Sequence, residues 1–255
     1  MVWKRQTANQ LAKKYRKSAR WVRNQLKSCP FPLPSVLPGP TVLIPDTTFF
    51  GRDYGIVVCR DPHRKKNVYW QEVASETAAE YLKARQALER QGVIIKAAVI
   101  DGRRSLKSIF ADVPIQVCQF HQVAIVTRYL TRRPKLEAGK ELRTIALLLT
   151  ELSEEWFLKY LNDWHEKWKD FLKERTYSED KKHWQYTHRR IRAAFRSLKT
   201  NTPYLFTYLK YPELKIPNTT NSLDGYFGRM KKLLNVHNGL SRRNRYLFIS
   251  EILSK

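Results

Sequence analysis

Several things are scarce in this chain, and each scarcity excludes something. Only three cysteines occur, Cys29, Cys59 and Cys118. They are too few and too scattered for a disulfide framework or a four-cysteine zinc site, and they fit a reducing cytoplasm. No apolar run approaches membrane-spanning length and no apolar signal segment opens the chain, so neither insertion nor export is expected. Internal repeats and low-complexity segments are absent as well. Acids are outnumbered: 23 Asp and Glu face 48 Lys and Arg, a net charge of +25. A folded surface with that balance attracts polyanions, of which a nucleic-acid backbone is the usual one and an anionic membrane the alternative. Charge alone names no activity, because a ribosomal protein or a nuclease would share it.

What is present is enough for a folded protein. The chain has 255 residues, 42% of them hydrophobic, with 7 Trp, 13 Tyr and 11 Phe, which suits one large core plus a small attached module. Residues 1–29 hold nine cations and no acid. Leu11, Ala12 and Tyr15 fall on one face of a short helix; Trp21, Val22 and Leu26 fit a second helix after a break at Arg16-Lys17-Ser18, with Ser18 as its N-cap. Two short helices joined by a tight turn predict a helix-turn-helix, whose second helix would offer Arg20, Arg23, Asn24 and Lys27 to the major groove. A basic helical hairpin that only solvates itself is the alternative. The usual first helix of such a domain would lie before Met1, which makes the module short at its start.

Residues 30–40 contain Pro30, Pro32, Pro34, Pro38 and Pro40 and are expected to form a semi-rigid linker. Beyond it, Thr41–Ile44, Tyr54–Cys59 and Asn67–Ala74 predict an antiparallel meander. A helix capped by Ser75 should then run to Glu89, Lys96–Ile100 should be a buried strand ending at Asp101-Gly102, and Val113–Val117 a fifth strand. This is the order of an RNase H-like α/β fold, with a generic α/β sandwich as the alternative. From Gln122 to about Tyr211 the periodicity reads as helical throughout, with stripes such as Trp156, Phe157, Tyr160, Leu161, Trp164, Trp168 and Phe171 read as packing. Asn218–Leu234 and Ser241–Leu253 predict two final helices.

Asp46 and Asp101 end the first and fourth predicted strands, which are neighbours in an RNase H-like sheet, so their carboxylates could converge at one edge. Hard divalent cations take such oxygen ligands, and a two-metal site can cut and rejoin a phosphodiester without a covalent protein intermediate. Four blocks carry a resemblance. Asp46-Thr47-Thr48-Phe49-Phe50-Gly51-Arg52-Asp53, Ile100-Asp101-Gly102-Arg103, Cys118-Gln119-Phe120-His121-Gln122 and Asn218-Thr219-Thr220-Asn221-Ser222-Leu223-Asp224-Gly225-Tyr226-Phe227 resemble, in that order, the transposases of Mutator-type bacterial insertion sequences, members of the DDE/RNase H-like superfamily. The similarity spans most of the chain.

The resemblance implies a domain order of helix-turn-helix (1–29), linker (30–40), first part of an RNase H-like core (41–121), all-α insertion (122–213) and last part of the core (214–255). It implies a DNA transposase that uses two Mg²⁺ or Mn²⁺ ions held by Asp46, Asp101 and Asp224, with His121 and Asn221 beside them. Arg103, Arg229, Lys231, Lys232, Arg242 and Arg243 would then hold phosphates. Double-stranded DNA, as element ends and target, would be the partner, and a homodimer or higher oligomer would pair the ends in the cytoplasm at the nucleoid. Two departures stand out. The family block reads Asn-Ser-Leu-Glu-Gly-Tyr-Phe, whereas Asp224 here is one methylene shorter, and the cysteine-rich zinc module that relatives often carry ahead of the helix-turn-helix has no counterpart. Zinc at Cys118 and His121 is disfavoured, because no second pair of soft ligands stands at suitable spacing. An RNase H-like nuclease without strand transfer, or a catalytically impaired DNA-binding derivative, would share these features.

Overall fold

The β-branched runs of the sequence settle into a five-stranded mixed sheet, seen in a computed structural model that describes residues 1–34, 36, 38–178, 182–237 and 239–255. Strands β1 (Gly39–Phe49), β2 (Gly55–Asp61) and β3 (Lys66–Val73) form an antiparallel meander, and β4 (Val93–Ile100) lies parallel to β1. With β5 (Ile115–Val117) the order is β3-β2-β1-β4-β5. β2 is buried along its whole length, as expected for a strand covered on both faces. Asp46 is not a strand-end residue: β1 runs on to Phe49, with Asp46 opposite Val58 on β2. The β-branched Thr47 and Thr48 carry the strand on beyond the apolar run.

The chain divides into two units, residues 1–98, 105–114 and 220–255, and residues 99–104 and 115–219. The boundary passes through β4. In the first unit, helix α1 (Ala8–Tyr15) starts in a capping box between Thr7 and Gln10, and α2 (Ala19–Ser28) starts at Ser18, whose hydroxyl accepts from the Trp21 N–H at 3.1 Å. Ala12 and Val22 are buried, whereas Tyr15 and Trp21 are exposed rather than part of an inner face. Helix α3 (Ala78–Arg90) is capped by Thr77, not Ser75; the Thr77 hydroxyl reaches the Glu80 N–H, the N3 position that a cap serves. Arg104–Ile109 form α4. Asn221–Leu234 form α10, shorter at its start than the expected Asn218–Leu234, and α11 (Arg242–Leu253) follows its N-cap Ser241. Leu43, Ile44, Ile56, Val58, Leu88, Leu106, Phe110 and Ile249 are essentially fully buried in this unit's core.

The second unit is largely helical: α5 (Gln119–Leu130), α6 (Glu137–Leu147), α7 (Glu154–Trp168), α8 (Arg189–Leu205) and the short α9 (Thr207–Lys210). Leu142, Leu149, Phe157, Leu198 and Phe206 centre its core, and the Phe157 and Phe206 rings lie 5.6 Å apart. Trp156 and Tyr160 of the expected packing stripe are exposed. The expectation of an all-helical 122–213 is corrected. Between α7 and α8 a hairpin forms from β6 (Arg175–Ser178) and β7 (His183–Tyr186), antiparallel and forming a two-stranded sheet of its own. Thr176, Tyr177, Trp184 and Tyr186 favour extended backbone and override the helical period. Among the described residues no helix is long and apolar enough to cross a membrane.

Candidate active site

Within the first unit, Asp46 is half-buried on β1, and its Oδ1 accepts the Thr47 N–H at 2.8 Å. Side chains alternate along a strand, so Thr47 points the other way, where its hydroxyl bonds the Tyr81 phenol of α3 at 2.9 Å. Tyr81 also donates to the Glu76 carboxylate. Burial, then the Glu76 bond and charge, and finally the charge of Asp46, hold the Tyr81 phenol well above its usual pKa, so it stays a neutral donor fixing the backbone beside Asp46.

Asp224 lies in the first turn of α10, where the helix dipole favours an acid. The buried Thr220, at the N-cap position, donates its hydroxyl to Asp224 Oδ2 at 2.8 Å. Asn221 is exposed at the first residue of the same helix, one turn before Asp224 and on the same face. Leu223, Phe227 and Met230 anchor the opposite side of α10 in the core.

In the second unit, Asp101 follows β4 and is bound locally: Oδ2 accepts from Arg103 Nε at 2.8 Å and Oδ1 from the Arg103 N–H at 3.0 Å. Gly102 makes this tight loop possible. Its φ is +87°, and a Cβ there would meet the Asn201 amide and a Val117 methyl at 3.2 Å. Asn201 in turn donates to buried Gln122 at 2.6 Å, and Gln122 donates to Ser197 at 3.1 Å. Gln116 and Gln119, also buried, both donate to the Leu205 carbonyl. This amide network ties β5 and α5 to α8, and its Asn201 packs against Gly102 of the Asp101 loop. The Cys118–Gln122 block supplies half of it, a role that motif reading did not anticipate; buried Gln side chains in a helix's first turns were the available signal. Cys118 is buried as the N-cap of α5, its sulfur accepting the His121 N–H at 3.5 Å, and the half-buried His121 ring stands edge-on to Phe120.

Among the described residues, no group of three or more His, Cys, Asp or Glu side chains is placed to hold a metal ion. The three acids are hard oxygen donors of the kind Mg²⁺ takes. Asp46 and Asp224 belong to the first unit and Asp101 to the second.

The expected phosphate-binding cations behave differently from one another. Arg20, Arg23, Asn24 and Lys27 are exposed along α2, and Arg229, Lys231 and Lys232 are exposed on α10. Arg242 is paired with Glu72 and lies over the Tyr54 ring. Arg243 donates to the carbonyls of Leu26 and Cys29 at 3.1 and 3.3 Å and lies over the Phe31 ring, so it clamps the end of α2.

No protein-family model matches this sequence, and no curated protein matches it. Among solved structures, a chain of the simian T-cell lymphotropic virus intasome in complex with PP2A regulatory subunit B56 gamma is similar at 15% identity, over 53% of this chain and 62% of that one, with a TM-score of 0.25. The match spans less than two thirds of that chain, and a TM-score of this size establishes no shared fold.

Proposed function

We propose that this chain is a DNA transposase with an RNase H-like core, in which Asp46, Asp101 and Asp224 hold two Mg²⁺ or Mn²⁺ ions. The observation that carries the reading is one of register. β1 and β4 are parallel neighbours with Leu43 opposite Ala98, and three residues after each stands an aspartate of the family-like motifs, Asp46 and Asp101. The mixed sheet with β2 antiparallel to β1 and the ordered blocks around the acids support the same reading.

Bound divalent ions would supply charge stabilisation to the attacking and leaving oxygens of a phosphodiester. The chain's own residues would orient and grip. Asn221, one turn before Asp224, would position substrate or water, and His121 would stand near the acids. The cations of α2 and α10, with Arg103, would hold the phosphates of element ends and target DNA, on which the chain would act as a homodimer or higher oligomer. No three-ligand group is present among the described residues, so in this reading metal and DNA would complete the site. A metal ion at Asp101 would compete with the positive Arg103 guanidinium, which lies 2.8 Å from Oδ2.

That incomplete site, with Asp224 shorter than the family's glutamate, favours a second reading of a catalytically impaired DNA-binding derivative. One assay separates them. The protein is incubated with Mg²⁺ or Mn²⁺ and a labelled DNA end from the sequence flanking its own coding region. Joined product is expected; cleavage without joining would mean a nuclease, and binding without either would mean the impaired derivative.

A further inference from the structure

The β6–β7 hairpin is the part of the second unit that the catalytic reading leaves unused. Its register pairs Arg175 with Tyr186 and Tyr177 with Trp184, so these four side chains share one face. On that face the Tyr177 and Trp184 rings are 5.5 Å apart. The Arg175 guanidinium lies 4.9 Å from the Tyr186 ring and donates to its hydroxyl, and Arg192 of α8 lies 3.6 Å from the same ring. Tyr186 is thereby pinned at the base of the hairpin, while Tyr177 and Trp184 project into solvent.

Trp184 is 63% exposed, more than any other tryptophan in the chain. Cross-strand aromatic pairing stabilises a hairpin, which explains why two rings face each other but not why they stay open to water. The surroundings narrow the occupant. Residues 174–196 include seven cations and three acids, Glu174, Glu179 and Asp180, and the Glu174 carboxylate is already bonded to His188 at 2.8 Å. Residues 174–188 contain no aliphatic side chain and no phenylalanine, unlike a segment that enters a bilayer. Open rings set among cations suit unpaired bases: each base offers a π-face and each linkage a phosphate, whereas duplex bases are already stacked on one another.

We propose that this face of the hairpin is a stacking platform for unpaired bases of a DNA strand, with Tyr177 and Trp184 as the stacking rings and Arg175 and Arg192 as the cations beside them. The proposal rests on the reading that the protein handles DNA ends, where unpaired bases arise.

Fluorescence anisotropy of the full chain with a labelled oligothymidylate, and separately with a blunt duplex, tests it. Trp184→Ala and Tyr177→Ala should each weaken oligothymidylate binding by on the order of ten-fold and leave the duplex isotherm in place. Trp184→Phe should recover most of the loss. Equal oligothymidylate affinity in wild type and both alanine variants would overturn the proposal, as would a parallel loss for duplex. A change confined to self-association in sedimentation would assign the rings to a second copy of the chain instead. Selective loss of oligothymidylate binding in a protein that joins no DNA ends would keep the platform and remove the transposase. Normal oligothymidylate binding by Trp184→Ala in a protein that does join them would do the reverse.

Discussion

At the scale of single residues, Arg103 decides the state of Asp101. Its side chain and its own N–H occupy both carboxylate oxygens of Asp101, so a metal ion must compete with the guanidinium. The pair is partly exposed, with side chains 46% and 19% accessible for Arg103 and Asp101, and an exposed pair of this kind contributes only about 0.2–1 kcal/mol. Arg103→Gln is therefore expected to tighten Mn²⁺ binding by roughly two- to five-fold in calorimetric titration; unchanged or weaker binding would show that the pair does not compete with metal. The acids stand in distinctive sequence blocks, which is why they are the candidates. Their partners were not legible in the sequence. Tyr81 of α3, held by Glu76, reaches Thr47 beside Asp46, and Asn201 of α8 packs against Gly102 beside Asp101; no local pattern announces a contact set by tertiary packing.

At the scale of elements, legibility followed the strength of the local signal. The long β-branched runs gave β1 to β4 with correct order, and Ser18 marked the start of α2, because a cap is a local hydrogen bond. The cap of α3 was expected at Ser75 and lies at Thr77, where Thr77 and Glu80 hold the spacing of a capping box. The hairpin was missed because four-residue strands built from polar and aromatic residues are too short to outweigh helical periodicity on either side. Arg243 shows a different limit. Its place in a basic run suggested a phosphate contact, yet its guanidinium caps α2 from a distant helix. Arg243→Ala should destabilise that end of α2 by about 1 kcal/mol, read as faster amide exchange in α2 with the exchange of β1 and β2 unchanged. Uniformly unchanged exchange would mean that the cap is not used in solution.

At the scale of the whole molecule, the surplus of 48 cations over 23 acids is the broadest fact about the chain. It implies polyanion affinity with steep salt dependence; in the proposed reading the chemistry would come from the acids. Asp46 and Asp101 are supported by strand register and motif together, Asp224 by motif and by its place in the first turn of α10. Divalent ions contribute several kcal/mol to phosphodiester chemistry, and about 1.36 kcal/mol is tenfold in rate, so losing a ligand should cost on the order of 10³-fold. The most direct measurement is strand transfer of a labelled end in Mg²⁺ by the wild-type chain and by Asp46→Asn, Asp101→Asn and Asp224→Asn. Each substitution is predicted to reduce joining by that order while binding to the duplex end persists. Joining that survives Asp46→Asn would contradict the account.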